Sequence, residues 1–167
     1  MIRTERLLLR HARMTDLADF HDILRRTEAM EYWSTPPHPD LETTEVWLAE
    51  TVARDPAVSV EFAVEYEGRV IGKAGGGEMP EIGYIFHPGY WGQGFAFEAM
   101  RAVVDYAFAN RPVDHLMADV DPRNDASRRL LMRLGFQYSH YAKATFCIDG
   151  VWVDSDYYVL PRARNGR

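Results

Sequence analysis

A glycine loop leads directly into a helix-like segment near the middle of the chain. Gly92-Gln-Gly94 follows a short apolar run, and a helical pattern begins at Phe95. The first N–H groups of a helix have no intrahelical partners and lie at the positive end of the helix dipole. Glycines also let backbone approach a ligand closely. The sequence therefore predicts a ligand that carries phosphate or pyrophosphate.

Other reactive groups lack the neighbours that their chemistry would need. Gly75-Gly-Gly77 has no Gly-Lys-Ser/Thr ending of a P-loop and precedes no helix, so we expect a flexible strand end. Cys147 has no activating His or Asn nearby and is predicted to be a small buried hydrophobic residue. No second His or Cys stands at ligand spacing from His87, so that histidine is predicted to lie in a turn and no metal site is expected.

Composition narrows the class of protein and of partner. The chain has 167 residues, 47% of them hydrophobic and 26% charged, which suits one domain over 1–167 with a core at about 4–160. A formal net charge of −6 argues against nucleic-acid binding and is compatible with a cationic partner such as an amine. No apolar run is long enough to span a membrane, and charges interrupt the N-terminal apolar run, which predicts a cytoplasmic protein.

Hydrophobic spacing predicts the elements around the glycine loop. Helices are expected around Leu17–Leu24, from Leu41 with Asp40 as its cap, after Gly94, and after Asn124. The alternation from Val60 to Tyr66 predicts a strand with one buried face. The other predicted strands are Thr4–Arg10, Arg69–Ala74, Glu81–Phe86, Leu116–Val120, Tyr138–Ile148 and Val151–Leu160. This order predicts a mixed α/β sheet with helices on its faces.

The order of motifs along the chain resembles that of the GNAT superfamily of acyl-CoA N-acyltransferases, in particular its ribosomal-protein N-terminal acetyltransferase branch. The resemblance covers nearly the whole chain. It rests on Thr4-Glu-Arg-Leu-Leu-Leu-Arg10, Glu81-Ile-Gly-Tyr84, Tyr90-Trp-Gly-Gln-Gly-Phe-Ala-Phe-Glu-Ala99, Asn124-Asp-Ala-Ser127, Arg133-Leu-Gly-Phe136, Gly150-Val-Trp-Val-Asp154 and Tyr158-Val-Leu160.

The resemblance implies a single domain with a mostly antiparallel sheet that splays between the strands Glu81–Phe86 and Leu116–Val120. The pantetheine arm of coenzyme A would lie in that gap and pair with backbone like an added strand. The implied cofactor-binding residues are Ile85, Phe86, His87, Trp91, Gly92, Gln93, Gly94, Phe95, Ala96, Phe97, Asn124 and Arg133. At the position of Trp91 much of the superfamily has Gln or Arg, whereas the ribosomal-protein N-terminal acetyltransferase branch commonly carries Trp.

The resemblance also suggests catalytic residues. Glu81 is the first candidate for the base that deprotonates an amine, and Glu78 is the alternative. An N–H of Ile85 or Phe86 would stabilise the negative oxygen of the tetrahedral intermediate. Leu131 stands where the superfamily usually places an acidic Tyr, so Ser127 is proposed to hydrogen-bond the departing sulfur, unless it merely bonds backbone.

The remaining implied residues concern phosphates and the acceptor. Arg128 and Arg133 could reach coenzyme A phosphates, although Asp125 and Arg129 offer an i,i+4 ion pair on the same helix. The glycine run at 75–77 is expected to lie near the acceptor. The other segments expected to flank the acceptor contain Tyr32, Trp33, His38, Trp152, Asp154 and Tyr157. Asp154 could hold a cationic amine or pair with a surface arginine.

Three functions follow from these residues. The first is direct transfer of acetyl from acetyl-CoA to a primary amine, of a small molecule or a protein N-terminus, without metal, nucleic acid or membrane. The second is a coenzyme A-binding sensor without turnover, which Leu131 keeps open. The third, a nucleotide-binding protein, lacks a P-loop lysine and a Rossmann acidic residue. An exposed terminal strand could pair across a homodimer.

Overall fold

The structure is a computed structural model, and it describes residues 1–163. The strands are β1 (Ile2–Arg3), β2 (Leu8–Arg10), β3 (Val60–Tyr66), β4 (Arg69–Gly76), β5 (Gly83–Phe86), β6 (His115–Val120), β7 (Gln137–Ile148) and β8 (Val151–Pro161). The helices are α1 (Leu17–Leu24), α2 (Thr27–Met30), α3 (Leu41–Ala53), α4 (Phe95–Asn110) and α5 (Asp125–Arg133).

The strands form two antiparallel sheets that touch at a single parallel bridge. Five strands lie in the order β1-β2-β3-β4-β5, and three in the order β6-β8-β7. Glu81 and Met117 form the parallel bridge, in which Ile82 N donates to Met117 O over 2.9 Å. Beyond it β5 continues with the first sheet and β6 with the second. The predicted splay is thus confirmed, as is the α/β class with a mostly antiparallel sheet.

Helices cover both faces of the larger sheet and bury two apolar clusters. Ala99, Met100 and Val103 of α4 pack with Phe62 and Ile71 on one face. Phe20, Ile23 and Leu24 of α1 and Leu48 of α3 pack on the other. The prediction of one buried face for β3 is therefore wrong, because Ala63 and even Glu61 are buried, the latter against Lys73 and Arg54.

Two further predictions need correction, and a third is met. Thr4–Arg10 is not one strand, because Glu98 of α4 accepts hydrogen bonds from the Thr4 hydroxyl and the Arg6 backbone and so holds a turn between β1 and β2. Cys147 is exposed rather than buried, as are most of the side chains of β7. The strand end predicted at Gly75-Gly77 is found, since Gly75 and Gly76 are the last residues of β4. A Cβ atom there would meet Val60 O at 1.8 Å and Glu81 O at 1.9 Å, so close packing requires these glycines.

Candidate active site

The diverging strands open a cleft of about 570 Å³, a volume within the range of small-molecule sites. Ile82 to Phe86 form one wall, and Ala118 to Asp121 form the other. The glycine loop and the start of α4 close one end, while Asn124, Ser127, Leu131 and Arg133 reach in from α5. The structure thus brings together most of the predicted cofactor residues.

The edge of β5 presents alternating backbone groups to this cleft. His87 N donates to Ile71 O over 2.9 Å, which fixes the phase of hydrogen bonding between β4 and β5. Because bonding alternates along an antiparallel pair, the N–H of Ile85 points toward its partner Lys73. The N–H of Phe86 points the other way, into the cleft. Of the two predicted oxyanion donors, only Phe86 is oriented for that role.

The glycine loop leaves the start of α4 without a side-chain cap. Gly92 and Gly94 have φ values of +73° and +82°, in the left-handed region that favours glycine. Gly94 is the N-cap and makes no side-chain hydrogen bond to the first turn. The N–H groups of Phe95 to Phe97 therefore remain available to an anion at the end of the cleft.

Two predicted cofactor residues turn their side chains elsewhere. His87 accepts from Gly89 N through Nδ1, and its Nε2 lies 3.1 Å from Asp22 Oδ2. The Gln93 side chain donates from Nε2 to Gly89 O, and the Gln93 backbone carbonyl accepts a hydrogen bond from the Arg6 guanidinium. Neither residue lines the cleft, because each serves to hold the loop itself. Trp91 does line it and donates from Nε1 to Phe86 O over 2.9 Å.

The arginines of α5 that line the cleft are not the predicted pair of Arg128 and Arg133. Arg128 binds Asp125 at 3.1 Å and the Tyr158 hydroxyl at 3.1 Å, so it faces away from the cleft. Arg129 and Arg133, four residues apart on one helical face, line the cleft instead. The expected pair of Asp125 with Arg129 is absent from residues 1–163. The i,i+4 spacing of the two arginines was a signal that favoured Arg129.

A tyrosine that the sequence analysis did not select lies beside Ser127. The Tyr84 hydroxyl donates to Ser127 Oγ over 2.8 Å. Burial raises the pKa of Tyr84 to about 12, so the phenol stays protonated at neutral pH. The Ser127 N–H donates to Asn124 Oδ1 over 3.1 Å, which confirms Asn124 as the helix cap. Leu131 is buried against the same cleft.

Glu81 lies at the bridge where the strands part. Although the residue is exposed as a whole, partial burial of its carboxyl raises its pKa, and the charge of Asp119 acts in the same direction. Burial likewise raises the pKa of Asp119, with a smaller contribution from Asp121. Neither Glu81 nor Asp119 has an ion-pair partner within residues 1–163. Such a carboxylate is suited to take up a proton.

Glu78, the alternative base, begins the turn that leads to Glu81. Its carbonyl accepts from Glu81 N over 3.2 Å, on the opposite side of a cis Met79–Pro80 bond. Both glutamates line a second cavity, of about 720 Å³, that adjoins the first at Ile82, Gly83 and Asp119.

This second cavity is rich in carboxylates. The acidic residues of its lining are Glu31, Asp55, Glu78, Glu81, Asp119, Asp121 and Asp154, and the basic ones are Arg54 and Arg123. Arg54 is paired with Glu61, and Arg123 with Asp121 at 2.6 Å. The surplus negative charge makes the cavity favourable for a cation.

The residues expected near the acceptor separate into two groups. Tyr32, Trp33 and Asp154 line the second cavity, together with Gly75, Gly76 and Gly77. Asp154 accepts from the Tyr141 hydroxyl and from Ala144 N, so neither a surface arginine nor another cation holds it within the described chain. His38, Trp152 and Tyr157 do not line it: His38 is buried against Thr44, Trp152 is exposed, and Tyr157 stacks on His140.

Residues 1–163 contain neither a cluster of metal ligands nor a membrane-spanning helix. No three His, Cys, Asp or Glu side chains there are grouped to hold a metal ion. None of the helices of this part of the chain has the length and apolar character needed to cross a membrane.

Comparison with known proteins identifies relatives in sequence and in structure. A family model described as the acetyltransferase (GNAT) domain matches residues 6–137. The [ribosomal protein uS5]-alanine N-acetyltransferase of Escherichia coli (strain K12) is 38% identical over 73 residues, which cover 44% of this chain and 38% of that protein. The chain spans 34%, 40% and 47% of the lengths of three curated Bacillus subtilis relatives it matches.

Solved structures are similar over nearly the whole chain. A GNAT-family acetyltransferase from Bacillus anthracis has a TM-score of 0.83 and 25% identity, covering 96% of this chain and 97% of that one. The microcin C7 self-immunity acetyltransferase MccE, solved with acetyl-CoA and AMP, also has a TM-score of 0.83. At 12% identity, with 95% of this chain and 94% of that chain covered, it shows the fold alone. This protein therefore belongs to the GNAT acetyltransferase family.

Proposed function

We propose that this protein transfers the acetyl group of acetyl-CoA to a primary amine by direct attack in a ternary complex. One observation carries the proposal: the cleft between β5 and β6 connects an uncapped helix N-terminus at one end to the unpaired carboxylate of Glu81 at the other. An acidic cavity opens directly beyond Glu81. Donor and acceptor would thus meet at the point where the strands part.

The donor would bind mainly through backbone. The N–H groups between Gly92 and Phe97 suit the pyrophosphate, and the outward groups of β5 suit the amides of pantetheine. Asn124 faces the same arm from the cap of α5. Arg129 and Arg133 would interact with the remaining phosphate charge. His87 and Gln93 would act only by shaping the loop.

Glu81 would serve as the base. An alkyl ammonium group titrates near pH 10, so the amine must lose a proton, to the carboxylate directly or through water, before it attacks. The free amine then forms a C–N bond to the thioester carbonyl, whose oxygen becomes negative. The N–H of Phe86 would stabilise that oxygen. The C–S bond then breaks and its electron pair leaves with the sulfur, toward which Ser127 would donate a hydrogen bond. The nitrogen, which became positively charged on attack, releases its second proton to water, so that the products are the neutral amide and coenzyme A.

The acceptor would be a cationic amine, either a small molecule or a protein N-terminus. The surplus of carboxylates in the second cavity supports this class, since it would concentrate ammonium groups near Glu81. One relative, the [ribosomal protein uS5]-alanine N-acetyltransferase, is named for an alanine of a protein, which favours a protein N-terminus as one such acceptor. We also propose that residues 1–167 form one N-acetyltransferase domain.

A second candidate function is an acyl-CoA-binding sensor without turnover. The observation that favours it is Leu131, which is buried in the cleft at the position expected for an acidic tyrosine and cannot donate a proton. The sensor would bind acetyl-CoA through the same glycine loop and hold the thioester intact.

One experiment separates the two functions. Acetyl-CoA binding is measured by calorimetry, and thiol release is followed with a panel of polyamines, amino acids and N-terminal peptides. We expect binding together with thiol release, and acetylation of the amine confirmed by mass spectrometry. Binding without release for every acceptor would favour the sensor, and absence of binding would contradict both functions.

A further inference from the structure

The hydroxyl of Tyr84 reaches across the cleft to Ser127. Tyr84 lies on β5, the edge strand of the larger sheet, and Ser127 lies in the first turn of α5, which follows β6 of the smaller sheet. Their oxygens are 2.8 Å apart, and both side chains line the cleft. This hydrogen bond therefore connects the two walls that the splay separates.

The bond fixes the direction in which Ser127 can donate. A protonated phenol that donates to Ser127 Oγ occupies one of the two acceptor positions of that oxygen. The serine hydrogen remains, and no acceptor within the described chain takes it, because the one other hydrogen bond between this residue and a side chain there joins its backbone N–H to Asn124 Oδ1. The expectation that Ser127 merely bonds backbone through its hydroxyl therefore finds no support. Its hydrogen is free to turn into the cleft.

We propose that Tyr84 is a positioning residue for departure of the thiolate: its hydroxyl donates to Ser127 Oγ and thereby directs the Ser127 hydroxyl hydrogen toward the sulfur of coenzyme A. This inference rests on the proposed acetyl transfer. As the C–S bond of the tetrahedral intermediate breaks, its electron pair moves to sulfur, and the Ser127 O–H stabilises the negative charge. Thiols titrate near pH 8.5, far below a serine hydroxyl, so the serine keeps its proton and the thiolate is protonated by water.

The arrangement explains how the site functions with Leu131. A leucine provides packing but no donor, and its side chain is buried one turn after Ser127. Ser127, held by Tyr84 of β5, supplies a hydrogen-bond donor to the same cleft. The pair of Tyr84 and Ser127 would thus take the role of the single acidic tyrosine expected at the position of Leu131.

The test compares Tyr84→Phe, Ser127→Ala and the double variant in steady-state acetylation and acetyl-CoA binding. We expect Tyr84→Phe to lower kcat about tenfold, the effect of one hydrogen bond to a developing charge, with KM and Kd for acetyl-CoA unchanged. Ser127→Ala should lower kcat further, and the double variant should match Ser127→Ala, because Tyr84 acts through Ser127. Tyr106→Phe, a partly buried tyrosine of α4 that packs on Phe62, is the matched control and should leave kcat unchanged.

A second variant keeps the test decisive. Ser127→Thr retains the hydroxyl and should recover most of the activity, but only while Tyr84 is present. Independent losses in the double variant, or a raised Kd for acetyl-CoA in Tyr84→Phe, would show that Tyr84 only braces the walls and would overturn the inference. Unchanged kcat in Tyr84→Phe would do so as well. If the wild-type protein binds acetyl-CoA but acetylates no amine, the proposed function itself fails, and the inference with it.

Discussion

The donor side and the acceptor side of the active site are built from different kinds of structure, although they meet at Ile82, Gly83 and Asp119. The donor side is lined by residues at 28–33, 82–86, 90–97, 118–121 and 124–133, and its glycine loop offers a ligand backbone N–H groups rather than side chains. The acceptor side gathers side chains from six separate parts of the chain, at 31–34, 54–59, 75–83, 119–123, 146–148 and 153–155.

This difference implies different responses to substitution. Backbone groups in a fixed loop bind a feature that every acyl-CoA shares, so the donor side is sensitive to changes of conformation and tolerant of most changes of side chain. Carboxylates on scattered loops bind by charge and shape. Single substitutions there should alter which amine is used without altering the affinity for acetyl-CoA.

Glu81→Gln should have the largest effect, because Glu81 serves the chemistry at the junction of the two sides. We expect kcat to fall about 100- to 10,000-fold, the usual contribution of a general base. The Kd for acetyl-CoA, measured by calorimetry, should not change. Glu78→Gln is the matched control in the neighbouring turn, and a larger loss there would exchange the roles of the two glutamates.

The pH profile of kcat/KM tests the same residue more closely. A base must be deprotonated, so the rate should rise with pH through the pKa of Glu81, which burial and Asp119 hold above its usual range. Glu81→Gln should abolish this acid limb and leave the second rise, which comes from deprotonation of the amine. An acid limb that persists in the variant would assign it to another group.

Gly94→Val should have the next largest effect and is specific to the donor side. At a φ of +82° a side chain costs about 1–2 kcal/mol, and more for a β-branched residue, so the loop should leave this conformation. We expect acetyl-CoA to bind about tenfold more weakly or worse. Gly68→Val, at a φ of +80° in the turn between β3 and β4, should lower Tm without changing this Kd. Equal losses of affinity would contradict a local cradle.

Asp119→Asn should have a smaller effect and acts on the acceptor side. Removing the charge lowers the pKa of Glu81, so the acid limb of kcat/KM should move to lower pH. We also expect KM for a polyamine to rise about two- to fivefold, as for other partly exposed charges. Asp105→Asn, on the exposed face of α4, is the control. A limb that stays in place would separate Asp119 from the base.

Arg129→Ala should have the smallest effect. Loss of one exposed charge near the phosphates should weaken acetyl-CoA binding about two- to fivefold at low salt, and by less at high salt, where charges are screened. Arg128→Ala should change Tm rather than Kd, because Arg128 binds Asp125 and Tyr158. The reverse result would restore Arg128 as a phosphate contact.

Prediction from the sequence succeeded where neighbouring residues determine the structure. The cap at Asp40 and the run from β5 through the glycine loop to α4 depend on residues that are close together in the chain, and Gly92 and Gly94 adopt the positive φ values that favour glycine. It failed where a distant element decides. Both faces of β3 are buried because α1, α3 and α4 cover them, whereas Cys147 lies on β7, most of whose side chains are exposed.

The sequence by itself determined the glycine loop, whose residues are close together in the chain. Through the order of its motifs it also determined the family, and that resemblance implied the splayed pair of strands. Only the tertiary structure decided which side chains meet. It brought Tyr84 to Ser127, turned Arg129 rather than Arg128 into the cleft and placed Asp119 beside Glu81. The reason is physical: a side chain's partners and pKa depend on what packs against it across the sheets, and no local pattern records that packing.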